Sequence, residues 1–154
     1  MALLSNDLRA FIHLLNTKSV KYVFVGAWAL AFHGRPRYPG DIDFFVARDP
    51  DNADRLMEVI EDFGFGQTGI ERDDFLHIDH VIQLGREPNR IDILTGISGV
   101  TFDEAWQSRE EGNISDVSVF VISRDLLIKN KRAANRDKDQ GDVKLLEKTR
   151  PPRR

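Results

Sequence analysis

Hydrophobic positions change period several times along this chain, and each change marks an element. Leu8, Phe11, Ile12 and Leu15 recur at helical spacing behind Ser5, a capping residue, with Asp7 in the first turn. Val20-Lys21-Tyr22-Val23-Phe24-Val25 is a β-rich run that ends at Gly26. Ala27 to His33 predicts a short buried helix, stopped by Gly34 and Pro36. A second strand follows in Gly40-Asp41-Ile42-Asp43-Phe44-Phe45-Val46. Asp49-Pro50 opens a helix with Leu56, Met57, Ile60 and Phe63 on one face, and Gly64 closes it.

Residues 80–84 and 90–94 predict two further strands around a turn at 85–89. A helix over 102–108 and a strand over 117–122 come next. Ser123 caps a helix over 124–134, and 139–148 makes a last one. The chain shows no internal repeat and no low-complexity linker. Strands and helices mix irregularly, which predicts an α/β domain with a mixed sheet rather than a doubly wound one. Residues 1–150 read as one domain, and Pro151-Pro152-Arg153-Arg154 as a disordered tail.

Composition narrows the class. A chain of 154 residues can bury about two-thirds of its unfolded surface in one core. It has no cysteine, so disulfides and thiolate metal sites are excluded. No apolar run approaches the roughly 20 residues of a membrane span, and the first residues lack the basic stretch of a leader, so the expected location is cytoplasmic, with no membrane partner. The net charge of −3 is unevenly spread: residues 122–154 carry eleven Lys/Arg against five Asp/Glu. That basic stretch is either a solvated helical face or a surface for an anion such as a nucleotide or RNA.

The acidic residues carry the chemistry. Asp41 and Asp43 are two apart on a strand, so both side chains project from one face while Ile42 and Phe44 project from the other. Two carboxylates on one face repel, and a hard divalent cation resolves the repulsion because Mg²⁺ prefers oxygen ligands shared with phosphate. Asp92, between Ile91 and Ile93, repeats the pattern on a later strand. If the two strands are neighbours, three carboxylates converge, and three can hold two metals for in-line phosphoryl transfer. Taken alone, Asp-x-Asp is a solvent-facing pair and Asp92 a polar strand residue.

Other residues add to this. Gly26-Ala27 follows a strand and opens a helix, where a phosphate can approach backbone N–H groups; as a lone turn glycine it says little. Lys129, Lys131, Arg132, Arg136 and Lys138 can hold a triphosphate or form a solvated basic face. Arg35 and Arg37 can reach an incoming phosphate or pair with carboxylates of their own loop. Trp28 and Phe32 read as core, and His33 as a structural histidine. His77 and His80 flank Asp79 but fall on opposite faces, so they do not read as a metal site.

The segment Val25-Gly26-Ala27 through Asp41-Ile42-Asp43-Phe44 resembles the signature of the DNA polymerase beta-like nucleotidyltransferase superfamily: Gly followed by Gly or Ser, a spacer, then Asp-x-Asp among apolar residues. Arg90-Ile91-Asp92-Ile93-Leu94 resembles its strand with the third carboxylate. The closing Asn130-Lys131-Arg132-Ala133-Ala134, Lys138-Asp139 and Asp142 resemble the small bacterial AbiEii-like branch, which includes toxins of toxin–antitoxin pairs.

The resemblance spans residues 22–146 and implies a mixed sheet flanked by helices, the polymerase beta-like palm. It implies transfer of a nucleoside monophosphate from an NTP, ATP or another, to an acceptor hydroxyl, with tRNA and protein as acceptor alternatives and an antitoxin as a partner. It implies Mg²⁺ on Asp41, Asp43 and Asp92, Asp92 as base, Lys131 near the phosphates, and Asp142 in support. Gly26, Ala27, Arg37, Lys131 and Asp142 are then the nucleotide-binding residues. One departure stands out: Ala27 replaces the signature Gly or Ser and lacks a hydroxyl for phosphate. A nucleotide-binding module without transfer, or an RNA-binding partner protein, therefore stays open as an alternative.

Overall fold

The apolar runs become the central strands because they are buried on both faces. A computed structural model describes residues 6–34, 41–64, 69–85, 90–114 and 116–148 of the chain. The elements run α1 (Asn6–Thr17), β1 (Tyr22–Val25), α2 (Gly26–Phe32), β2 (Ile42–Val46), α3 (Pro50–Phe63), a 3₁₀ turn (Arg72–Phe75), β3 (Val81–Leu84), β4 (Ile91–Leu94), α4 (Phe102–Gln107), β5 (Glu110–Ile114), β6 (Val117–Val121), α5 (Arg124–Ala134) and α6 (Asp137–Lys148). Among the described residues the strands form one six-stranded sheet in the order β3-β4-β2-β1-β6-β5. β2 and β4 are parallel, as are β1 and β6; the other three pairings are antiparallel. The fold is the expected mixed sheet with flanking helices.

Local chemistry places the helix ends. Asp49 accepts a hydrogen bond from Asn52 N at 2.8 Å, Pro50 sits in the first turn, and Gly64 closes α3 at φ 98°. Thr101 and Glu104 form a reciprocal capping box on α4. Ser123 caps α5, and Asn135 ends it in the left-handed region.

One face of the sheet carries an aromatic cluster. Phe44 packs against Phe24 at 5.0 Å, Tyr22 at 5.6 Å and Phe11 of α1 at 5.7 Å between ring centroids. Phe11 meets Phe63 of α3 edge-on at 5.2 Å. These contacts lock α1 and α3 onto the sheet face opposite the one to which Asp43 belongs. Buried Asn52 fastens the other end of β1 and β2: it accepts from Lys21 N at 2.8 Å and donates to Ala47 O at 2.9 Å.

Two elements were not foreseen. β5 pairs with β6 along its whole length, yet its sequence EEGNI has no apolar alternation. It is an edge strand, buried only at Ile114, so its polar residues fit solvent. The 3₁₀ turn has no period of its own. α2 starts at Gly26 and α6 at Asp137, each slightly ahead of the pattern. Ser5, Arg35, Arg37, Gly40, residues 86–89 of the β3–β4 connection and the 151–154 tail lie outside the described residues.

Phe44→Ala is expected to cost about 3–5 kcal/mol, because the cavity opens inside a fully buried aromatic cluster. Urea unfolding checks it; a loss below about 1 kcal/mol would show that the cluster does not lock the helices.

Candidate active site

Sheet register assembles the carboxylates. β2 and β4 lie side by side with Asp43 opposite Asp92 and Ile42 opposite Ile91. On the other side of β2, Val25 of β1 stands opposite Asp43. The chain therefore leaves β1 beside the Asp43 carboxylate, and the residue there is Gly26 at φ +64°. A Cβ on Gly26 would sit 2.2 Å from Asp43 Oδ2. Glycine is required twice over here, by the left-handed backbone and by the carboxylate against it. Ala27 follows in the first turn of α2, whose capping position is Val25, a residue with no side-chain hydrogen bond to give.

Asp41 precedes β2 by one residue, and Arg90 precedes β4 by one. The Ile42 N–H donates to Arg90 O at 3.0 Å, which ties these two ends together. Arg90 then forks into the cluster. Its Nε donates to Asp92 Oδ1 at 2.9 Å and its Nη2 to Asp92 Oδ2 at 3.1 Å. The same Nη2 is 3.0 Å from Asp41 Oδ2. Asp41 Oδ1 is buried with no hydrogen-bond partner. Sequence reasoning missed Arg90, although the signal was present: two residues before Asp92 on one strand, it shares that residue's face.

Among the described residues, one guanidinium is set among three carboxylates, which leaves negative charge uncompensated there. Asp43 shows it: its acidity is weakened to a pKa of about 6, by burial first, then by the charge and hydrogen bond of Asp92 and the charge of Asp41, with Arg90 opposing. The donor set is all hard oxygen, and the orphaned Asp41 oxygen lacks a partner, so the residues suit a Mg²⁺-type cation. Among the described residues, however, no three acidic or histidine groups are already gathered around one point. Arg90 holds two of the three carboxylates.

Lys131 is buried between α5 and α6, with its Nζ 3.0 Å from Asp142 Oδ2 and 3.6 Å from Asp139 Oδ1. Asp139 is fully buried; burial pushes its carboxyl up, but the Arg136 hydrogen bonds outweigh that and hold it below the usual range. Lys129 pairs with Glu104 and Arg132 with Glu147. Trp28 is buried. His33 Nε2 lies 2.7 Å from Ile122 O and bridges α2 to the end of β6. Arg37 lies outside the described residues.

Residues 4–153 match the profile of a family described as nucleotidyl transferase of unknown function, DUF2204. The chain belongs to this nucleotidyl transferase family. No curated protein sequence matches the chain. Among solved structures it is similar to the lincosamide antibiotic adenylyltransferase LnuA in its lincomycin-bound form, at 16% identity and TM-score 0.57, over 97% of this chain and 100% of that one. It is similar to the antibiotic-resistance factor ANT(2'')-Ia at 16% identity and TM-score 0.59, over 93% of this chain and 82% of the other. An antigenic nucleotidyltransferase-like protein from Paracoccidioides brasiliensis aligns at 18% identity and TM-score 0.54, over 96% and 77%. At these identities the likeness is one of fold. Among the described residues, no helix is long and apolar enough to cross a membrane.

Two outcomes follow for this nucleotidyl transferase domain. Gly26→Ala should destabilise the fold by about 1–3 kcal/mol, measured by urea unfolding, since it adds backbone strain and a clash with Asp43. Asp43 titrates near 6 when folded and near 4 when unfolded, so its contribution to stability is present at acid pH and is lost as pH rises through about 6. In metal-free buffer Asp43→Asn should therefore be more stable than the natural chain by about 1–2 kcal/mol near neutral pH, the gap closing at acid pH. A gap independent of pH would contradict that origin.

Proposed function

We propose that the chain transfers a nucleoside monophosphate from an NTP to an acceptor hydroxyl, with Asp41, Asp43 and Asp92 as the catalytic carboxylates. The observation that carries this reading is the Asp43–Asp92 pair in register on adjacent parallel strands, with Gly26 packed against Asp43. Mg²⁺ bound to these three carboxylates would neutralise charge on the attacking and leaving oxygens.

In this proposal the acceptor oxygen bonds to the α-phosphorus, the bond from that phosphorus to the β-bridging oxygen breaks, and pyrophosphate leaves. Asp92 accepts the hydroxyl proton. The backbone N–H groups at Gly26-Ala27 receive phosphate oxygens, a contact that needs no side chain and so survives the absence of a signature Ser. Arg37 remains a proposed phosphate contact. Lys131 remains a proposed phosphate contact with Asp142 in support: its ammonium is held 3.0 Å from Asp142 Oδ2 and has further N–H donors to offer.

For the acceptor we favour a small hydroxylated molecule. Two proteins of similar fold are named as antibiotic-modifying or antibiotic-resistance factors. The AbiEii-like branch would instead bring tRNA or protein as acceptor and an antitoxin partner. A second reading, nucleotide binding without transfer, is favoured by one observation: Arg90 engages two of the three carboxylates.

A transfer assay separates these. Four labelled NTPs with Mg²⁺ are offered to polyhydroxylated small molecules, total tRNA and cell lysate, with Asp41→Ala as the blank. Asp43→Asn should lower turnover on the order of a hundredfold or more, from the several kcal/mol that a catalytic metal supplies. Transfer undiminished in that variant would remove the mechanism; nucleotide binding in calorimetry with no labelled product would favour the second reading.

A further inference from the structure

Arg90 is the one strong cation tied to the carboxylate cluster among the described contacts, and nothing in the proposed reaction uses it. We propose that Arg90 is a place-holder cation: in the free protein it neutralises Asp41 and Asp92 and keeps divalent cations weakly bound, and it yields these carboxylates when a nucleoside triphosphate brings anionic oxygens that receive the guanidinium. This deepens, and rests on, the transferase reading of the same site.

The geometry carries the inference. The guanidinium engages both oxygens of Asp92, at 2.9 and 3.1 Å, and Oδ2 of Asp41, at 3.0 Å. Those are the lone pairs a divalent cation would need, and a forked guanidinium satisfies carboxylate geometry well. Arg90 and a metal cannot both use them. The bond from Ile42 N to Arg90 O holds the Arg90 backbone beside the entry to β2, within side-chain reach of Asp41 and Asp92. Its side chain is 29% exposed, so it has solvent to swing into without opening the core. The fork also leaves Asp41 Oδ1 without a partner, so it does not complete the site. A cation that one ligand must displace and another can receive couples the two: nucleotide raises metal affinity, and metal raises nucleotide affinity by the same factor.

Mn²⁺ binding, followed by calorimetry and by its electron paramagnetic resonance signal, tests this on the full chain and on Arg90→Gln. Each is measured alone and with a non-hydrolysable NTP analogue. Arg90→Gln should bind Mn²⁺ alone about tenfold tighter or more, and the rise in Mn²⁺ affinity on adding the analogue should be large in the natural chain and small in the variant. Its melting midpoint should fall without metal and recover with Mn²⁺. A residue serving only to brace the sheet would move the midpoint but not this coupling.

Equal Mn²⁺ affinity in the two proteins, or undiminished coupling in Arg90→Gln, overturns the place-holder role and leaves the transferase reading standing. Failure of both proteins to bind Mn²⁺ with or without the analogue overturns that reading, and this inference with it. If Arg90→Gln does not fold, Arg90→Lys carries the comparison, since it keeps the charge but loses the fork: tighter Mn²⁺ binding than the natural chain supports the role, and equal binding overturns it.

Discussion

The feature on which the site depends is the repulsion between carboxylates that the sheet holds side by side. Parallel register puts Asp43 and Asp92 on neighbouring strands at the same level, and Asp41 is carried in by the chain entering β2. Such a cluster is unfavourable by itself. Burial removes the water that would screen it, and burial together with the neighbouring Asp92 and Asp41 charges weakens the acidity of Asp43. The arrangement survives because the opposite face is buried in the core. Ile42, Phe44, Ile91 and Ile93 are nearly fully buried, so the register cannot slip without losing the aromatic cluster. Core packing on one face thus holds strain on the other.

Gly26 shows how tightly the two are joined. A turn glycine between a strand and a helix has many uses, and phosphate approach is the one its position first suggests. Its nearest neighbour is instead the Asp43 carboxylate. The missing side chain makes room for an acidic group before it makes room for a ligand. A single glycine therefore serves both the left-handed turn at the end of β1 and the space that the Asp43 carboxylate fills.

Much of this was readable from spacing. Helices with clean caps, α3 and α5, were legible because Asp49-Pro50, Gly64 and Ser123 each do a local job that sequence displays. The central strands were legible because burial on both faces demands apolar runs. β5 was not, because an edge strand exposed along most of its length places no such demand, and its pairing with β6 is written mainly in backbone bonds. At the site, the same rule that put Asp41 and Asp43 on one face also puts Arg90 beside Asp92. Spacing shows which groups share a face; it does not show which of them will pair, since that depends on how strands from distant segments come into register.

The basic closing segment shows the same limit in another form. A surplus of positive charge over residues 122–154 suggests an anion-facing surface when charges are counted along the chain. In the fold several of those cations are already committed: Lys131 to Asp142 and Asp139, Arg136 to Asp139, Arg132 to Glu147, and Lys129 to Glu104. Lys131 and Asp139 are buried, and each has a second partner, Asp142 for Lys131 and Arg136 for Asp139, so the buried charges form a network rather than a lone pair. The pairs of Lys131 with Asp139 and Asp142, and of Arg132 with Glu147, brace α5 against α6. At β2 and β4 the local potential is set chiefly by the groups gathered there, and among the described residues these include three carboxylates and one guanidinium.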